Sequence, residues 1–168
     1  FRTPRPDLSA KLGTPNACNS CHADKNLNWT VVAFAKWYKP ADSPQQRCAE
    51  ALYAGRSGAP GAETKLLAVV QDSSLPAIGR ATALAELRRY LSPKSSPIVQ
   101  DNFRDQDPLA RLGALRALEG IEPKAHAASS VALLQDPVRA VRIGAAALLA
   151  GARPETLATE QRTALDKA

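Results

Sequence analysis

Five consecutive residues, Cys18-Asn19-Ser20-Cys21-His22, gather two of the three cysteines and one of the two histidines of the chain. C-x-x-C-H is the attachment signature of c-type haem. Two thiols three positions apart can each add to one vinyl group of a porphyrin, and the imidazole that follows then lies under the iron as its proximal ligand. On this reading Cys18 and Cys21 tether the cofactor, His22 is the metal ligand, and Asn19 and Ser20 are spacers. Chance competes weakly, since three Cys and two His among 168 residues give the pattern in roughly six of ten thousand chains of this composition.

The same residues admit a thioredoxin-like redox pair, half of a zinc site, a structural disulfide, or two unused cysteines. Thioredoxin-like pairs sit in βαβ surroundings, and nothing in this sequence reads as a strand. Zinc takes about four ligands, and only Cys48 and His126 are left to complete a set. The chain has no Met, so thioether ligation of the iron's sixth position is excluded. The second axial ligand must then be His, Lys, Asn, water or a group from elsewhere. His126 begins a distant helical unit and reads as a solvated histidine rather than an iron ligand. Lys11, Lys25 and Asn16 lie close to the motif. Trp29, Ala33 and Trp37 recur at helical spacing and are expected to form a core rather than to contact a porphyrin. Cys48 reads as a buried thiol on a helix, able to pair with Cys18 or Cys21 in an oxidised, haem-free chain.

The elements that must position these residues are helical. Asn28 is the expected cap of a helix through Trp29, Val32, Phe34 and Trp37, ended by Pro40. Ser43-Pro44 reads as a cap followed by proline at the first helical position, and the helix it opens carries Cys48, Ala51 and Leu52 until Gly55. Arg56 to Gly61 reads as a loop, dividing a haem-attachment segment with two helices, 1–55, from a second unit, 56–168. That second unit repeats with a period of 31 residues: Arg80, Arg111 and Arg142 fall at this interval, as do Ala83, Ala114 and Ala145, and Leu87, Leu118 and Leu149. Gly120 and Gly151 end the second and third copies, and Asp107-Pro108 and Asp136-Pro137 open their second helices. About three helical hairpins follow, none able to cover its own apolar face, so neighbours are expected to stack. The Arg ladder is expected to pair with neighbouring acidic residues and carbonyls rather than to form a basic docking ridge.

The stretch Asp136-Pro137-Val138-Arg139-Ala140-Val141-Arg142-Ile143-Gly144-Ala145-Ala146-Ala147-Leu148-Leu149 resembles the second helix of HEAT repeats. The first copy departs from that pattern, with Ser73-Ser74-Leu75 between Asp72 and Pro76, and looks like an end unit. Over most of its length the chain resembles bacterial multihaem c-type cytochromes in which C-x-x-C-H motifs precede helical repeats. The resemblance is carried by Pro4-Arg5-Pro6-Asp7-Leu8-Ser9, by Leu12 to Lys25 around the motif, by Trp29 and Lys36-Trp37-Tyr38, and by Ala54-Gly55-Arg56 and Arg80-Ala81-Thr82-Ala83-Leu84. Such proteins carry further C-x-x-C-H motifs upstream and tetratricopeptide repeats downstream. The resemblance therefore implies an internal or C-terminal segment of a longer cytochrome, with a second axial ligand supplied from before Phe1-Arg2-Thr3-Pro4-Arg5-Pro6-Asp7.

Composition narrows the function further. The net charge of +6 permits acidic partners, but basic residues are spread along the chain and aromatic residues are few, so nucleic acid is not expected. No apolar run approaches the roughly 18 residues of a membrane span. A phosphate-cradling loop, a G-x-S-x-G elbow, and a Cys/His pair outside the motif are all absent from the sequence, so no catalytic residue is assigned and the chain is not expected to be an enzyme. The fold class expected is all-α: a short N-terminal haem-attachment segment followed by a HEAT-like helical-hairpin solenoid. The function expected is electron transfer through one covalent haem c, with redox partner proteins or other haem domains of the same longer protein as partners. A c-type haem implies export, hence a periplasmic or extracellular site. The alternative is a redox-silent HEAT-like protein–protein interaction module.

Overall fold

A computed structural model describes residues 4–38, 44–122, 126–150 and 159–166. Every secondary-structure element among them is helical. In chain order they are α1 (Pro6–Leu12), α2 (Cys18–Cys21), α3 (Leu27–Trp37), α4 (Pro44–Ser57), α5 (Ala62–Gln71), α6 (Ala77–Glu86), α7 (Ser95–Asp101), α8 (Pro108–Ala117), α9 (Ala127–Val131), α10 (Arg139–Ala150) and α11 (Thr159–Asp166). Short 3-10 turns extend α6, α7 and α9 at their C-terminal ends. None of these helices is long and apolar enough to cross a membrane.

The core follows the 31-residue period. Ala83, Ala114 and Ala145 are fully buried, as are Leu87 and Leu149, with Leu118 nearly so. These are the inward faces of α6, α8 and α10, which pack in sequence, α6 on α8 and α8 on α10. Small residues at the crossing let the backbones close up: a Cβ on Gly113 would stand 2.5 Å from the carbonyl oxygen of Ala81 and 2.8 Å from its Cα. The α6–α8 crossing thus needs glycine for space rather than for backbone conformation.

The sequence division at 55/56 falls inside α4, which runs on to Ser57. Ala51 and Ala54 of α4 are buried, and the helix packs on α5 and α6. Gly55 does not end it: a Cβ there would press on Leu66 Cδ1 at 3.1 Å, so the glycine admits the α5 side chain. The turn comes at Gly58 and Gly61, both with positive φ. The phenol of Tyr90 donates to the carbonyl of Gly55 at 2.5 Å, tying the two parts together.

The arginines are held as the sequence leads one to expect, but in a register it did not reveal. Arg80 pairs with Asp105 and Arg111 with Asp136, each 25 residues on. Arg47, in α4, pairs with Asp72 at the same interval. Each aspartate also accepts the backbone N–H two residues ahead, Asp72 from Ser74, Asp105 from Asp107 and Asp136 from Val138, at 2.8–3.0 Å. Asp105, not Asp107, is therefore the counterpart of Asp136. Arg111 and Arg142 turn back as well, each donating to two carbonyls of the loop before its own helix. Gly120 closes its copy with φ 83°, whereas Gly151, Pro40 and Ser43 lie outside the described residues.

Candidate functional site

The C-x-x-C-H residues stand on a small scaffold stitched by amides. α2 is a single turn that starts at Cys18 and ends at Cys21, with His22 as its C-cap donating its backbone N–H to the Cys18 carbonyl at 3.0 Å. Asn16 receives the Cys18 N–H on Oδ1 at 3.2 Å, and its Nδ2 donates to Asn19 Oδ1 (2.7 Å) and Thr30 Oγ1 (2.8 Å). Thr30 is buried and donates to the Leu27 carbonyl, so α2 is fixed to the first turn of α3. Asn19 Nδ2 donates to the carbonyls of His22 (3.3 Å) and Lys25 (2.7 Å), closing the turn that leads into α3. The sequence treats Asn19 as a spacer; the fold uses it as a brace.

Beneath this scaffold α1 ties the segment to α4. Arg5 forms a two-pronged pair with Asp7 (2.8 and 2.6 Å) and donates to Gln46 at 2.7 Å, while Lys11 pairs with Glu50 at 2.8 Å. The Arg5 hydrogen bonds hold the Asp7 carboxyl below its usual range, and Lys11 and Gln46 do the same for Glu50. Gly13, at φ 65°, ends α1 in the left-handed conformation that glycine adopts without strain.

The motif side chains face outward. Cys18 is half-buried, Cys21 and His22 are exposed, and none of the three cysteines is in a disulfide. The His22 imidazole lies against the indole of Trp29, with ring centroids 5.1 Å apart and planes at 51°. Trp29 is 39% exposed and Trp37 77% exposed, with Val32 and Tyr38 also open to solvent. The expected tryptophan core is therefore overturned: α3 packs on α1 with Thr30 as its buried residue and leaves an apolar and aromatic strip exposed. The cap of α3 is also corrected, from Asn28 to Asn26, whose Oδ1 receives the Trp29 N–H at 2.8 Å.

Each nearby candidate for the sixth iron position already has a partner: Lys11 has Glu50, Lys25 has Asp24 at 2.8 Å, and the Asn16 amide is spent on its bonds within the scaffold. His126 is buried, not solvated, at 2% exposure. Its Nε2 lies 3.3 Å from the Ile121 carbonyl, and its Nδ1 lies 3.3 Å from Ser130 Oγ. Burial lowers its pKa, opposed by the Ile121 hydrogen bond. Cys48 is half-buried, its Sγ against the backbone of Gly79 in α6. Among the described residues no three His, Cys, Asp or Glu side chains gather to hold a bare metal ion. A covalent haem asks less of the chain, namely two thiols and one imidazole, and Cys18, Cys21 and His22 with the neighbouring apolar strip fit that demand. No protein-family model, curated protein or solved structure matches this chain.

Proposed function

We propose that the chain is an electron-transfer domain of a c-type cytochrome, holding one haem through Cys18, Cys21 and His22. The observation that carries the reading is the C-x-x-C-H pentapeptide on one outward-facing turn, with His22 and the exposed aromatic strip of α3 beside it. The thiols of Cys18 and Cys21 fix the position of the cofactor, and His22 gives it an axial nitrogen. The bound haem supplies a one-electron ferric/ferrous couple. The braces made by Asn16, Asn19 and Thr30 hold the motif turn against α3, and with a haem bound they would limit the reorganisation that each electron transfer requires.

The remaining helices are read as a HEAT-like solenoid of stacked hairpins, in which α4 belongs to the stack. The support is the recurrence of one Arg-to-Asp clasp at a 25-residue interval from Arg47 to Asp136. This scaffold presents the haem to redox partner proteins or to other haem domains of a longer multihaem cytochrome in the periplasm or outside the cell.

An optical spectrum, oxidised and dithionite-reduced, of the chain expressed with a periplasmic haem-attachment system tests this, read beside the intact mass. A sharp reduced α band and a mass higher by one haem are expected, and both are lost in Cys18→Ser/Cys21→Ser. A colourless chain of bare mass despite competent maturation overturns the proposal and leaves a redox-silent interaction module.

A further inference from the structure

We infer that Trp29 is a positioning residue for His22, holding the imidazole in the orientation from which it meets the iron. The consequence for iron rests on the haem reading above; the ring contact itself does not. Trp29 stays 39% exposed, so burial in a core is not the whole reason it stands there. The other reason is the tilted contact with His22 at 5.1 Å, within the range in which aromatic rings attract edge to face.

Both partners are fixed from the backbone outward. His22 follows directly on α2, and the turn after it is closed by Lys25 N–H to the His22 carbonyl at 3.1 Å and by the Asn19 amide. Asn26 caps α3 on the Trp29 N–H itself, so the indole projects from the first turn at a set angle. A histidine that ligates metal ordinarily donates its second ring N–H to a carboxylate or carbonyl, and that bond fixes the ring plane. Among the described residues no such acceptor meets the His22 imidazole; its neighbour is the indole. The Lys25 ammonium, 6.0 Å from the Trp29 ring, lies at the limit of cation–π reach and steadies the same indole. Orientation that usually comes from a hydrogen bond here comes from an aromatic face.

The test uses the full chain with Trp29→Leu and Trp29→Phe. In haem-free protein, the His22 ring protons should resonate upfield of their random-coil positions in wild type and Trp29→Phe, and return to those positions in Trp29→Leu. Wild-type shifts already at random coil overturn the contact. In haem-loaded protein with added imidazole as second axial ligand, ferric electron paramagnetic resonance reads the imidazole plane. Changed g values in Trp29→Leu at unchanged haem content, restored in Trp29→Phe, are expected. Identical spectra from all three proteins overturn the positioning role. A colourless protein overturns the haem reading, and with it the role toward iron, while the proton shifts still decide the contact.

Discussion

Arg111 and Asp136 form a bidentate ion pair with Nε–Oδ2 at 2.7 Å and Nη2–Oδ1 at 2.9 Å, their side chains 11% and 5% exposed. The remaining Arg111 nitrogen donates to the carbonyls of Asp105 and Gln106, and Asp136 also receives the Val138 N–H, so the pair is saturated. It clasps α8 to the turn that opens α10.

Removing one partner strands a buried charge, a lesion that costs about 3–5 kcal/mol. Arg111→Met and Asp136→Leu should each lower the melting temperature steeply, and the double variant should be less destabilised than the sum of the two. Arg47 makes the same clasp on Asp72 in solvent, at 47% and 28% exposure, where such pairs contribute about 0–1 kcal/mol. Arg47→Met should hardly move the melt. Equal losses at Arg47 and Arg111 would show that register, not burial, sets the energy.

Gly113 and Gly144 occupy equivalent places in α8 and α10, but their surroundings differ. A Cβ on Gly113 meets the backbone of Ala81 at 2.5 Å, which cannot yield without moving α6. A Cβ on Gly144 meets the ends of Leu112 at 2.9 Å and Leu115 at 3.3 Å, which can rotate away. Gly113→Ala should destabilise by about 1–3 kcal/mol through overpacking. In Gly144→Ala the gain of up to about 1 kcal/mol in helix propensity should offset most of the strain. Denaturant midpoints of the two variants decide it, and a Gly113→Ala protein as stable as wild type would mean that the α6–α8 crossing is looser than described.

The helices and much of their packing were legible in the sequence because a period of 31 in Arg, Ala and Leu marks one inward face repeated. What hid the kinship of α4 with the later copies was a spacing of 33 between Arg47 and Arg80 where those copies keep 31, a slip that defeats a strict period but not the Arg-to-Asp interval of 25. Asp107 outranked Asp105 because proline follows it; the clasp depends instead on distance from the arginine. At the site, the pentapeptide announced itself, whereas Asn16, Asn19 and Asn26 carried only the general signal that Asn side chains bond nearby backbone. The tryptophans misled because helical spacing says which residues share a face, not whether that face is covered.

Acid should act on this fold in two windows. Burial lowers the His126 pKa below its ordinary value near 6.5, opposed by the Ile121 carbonyl, which accepts from Nε2 while Ser130 donates to Nδ1. The unfolded chain therefore binds the proton more readily, so the stability from neutral His126 is whole above about pH 6.5 and falls as pH drops toward the lowered folded value. For Asp105 and Asp136 burial is the largest influence and pushes the pKa up, but the arginine hydrogen bonds, the backbone N–H bonds from Asp107 and Val138 and the nearby arginine charges together outweigh it, and the net direction is down. Their contribution is present above the ordinary carboxylate range near pH 3.9 and is lost only as pH falls below it. Melting temperatures between pH 8 and 5 should decline in wild type and less steeply in His126→Asn. An equal slope in both proteins would remove His126 as the cause.

The Asn26 cap joins the stability of α3 to the geometry of the motif. Its Oδ1 satisfies the Trp29 N–H, and its carbonyl receives the Thr30 N–H at 3.4 Å, while Thr30 in turn anchors Asn16 and so α2. Asn26→Ala should cost about 1 kcal/mol, with amide exchange quickened first at Trp29 and in the turn around it. Because the indole against His22 departs from that turn, the ring contact should weaken in the same variant, and Asn26→Ser should restore both. Faster exchange with the His22 ring shifts unchanged would show that the contact between Trp29 and His22 does not depend on the cap.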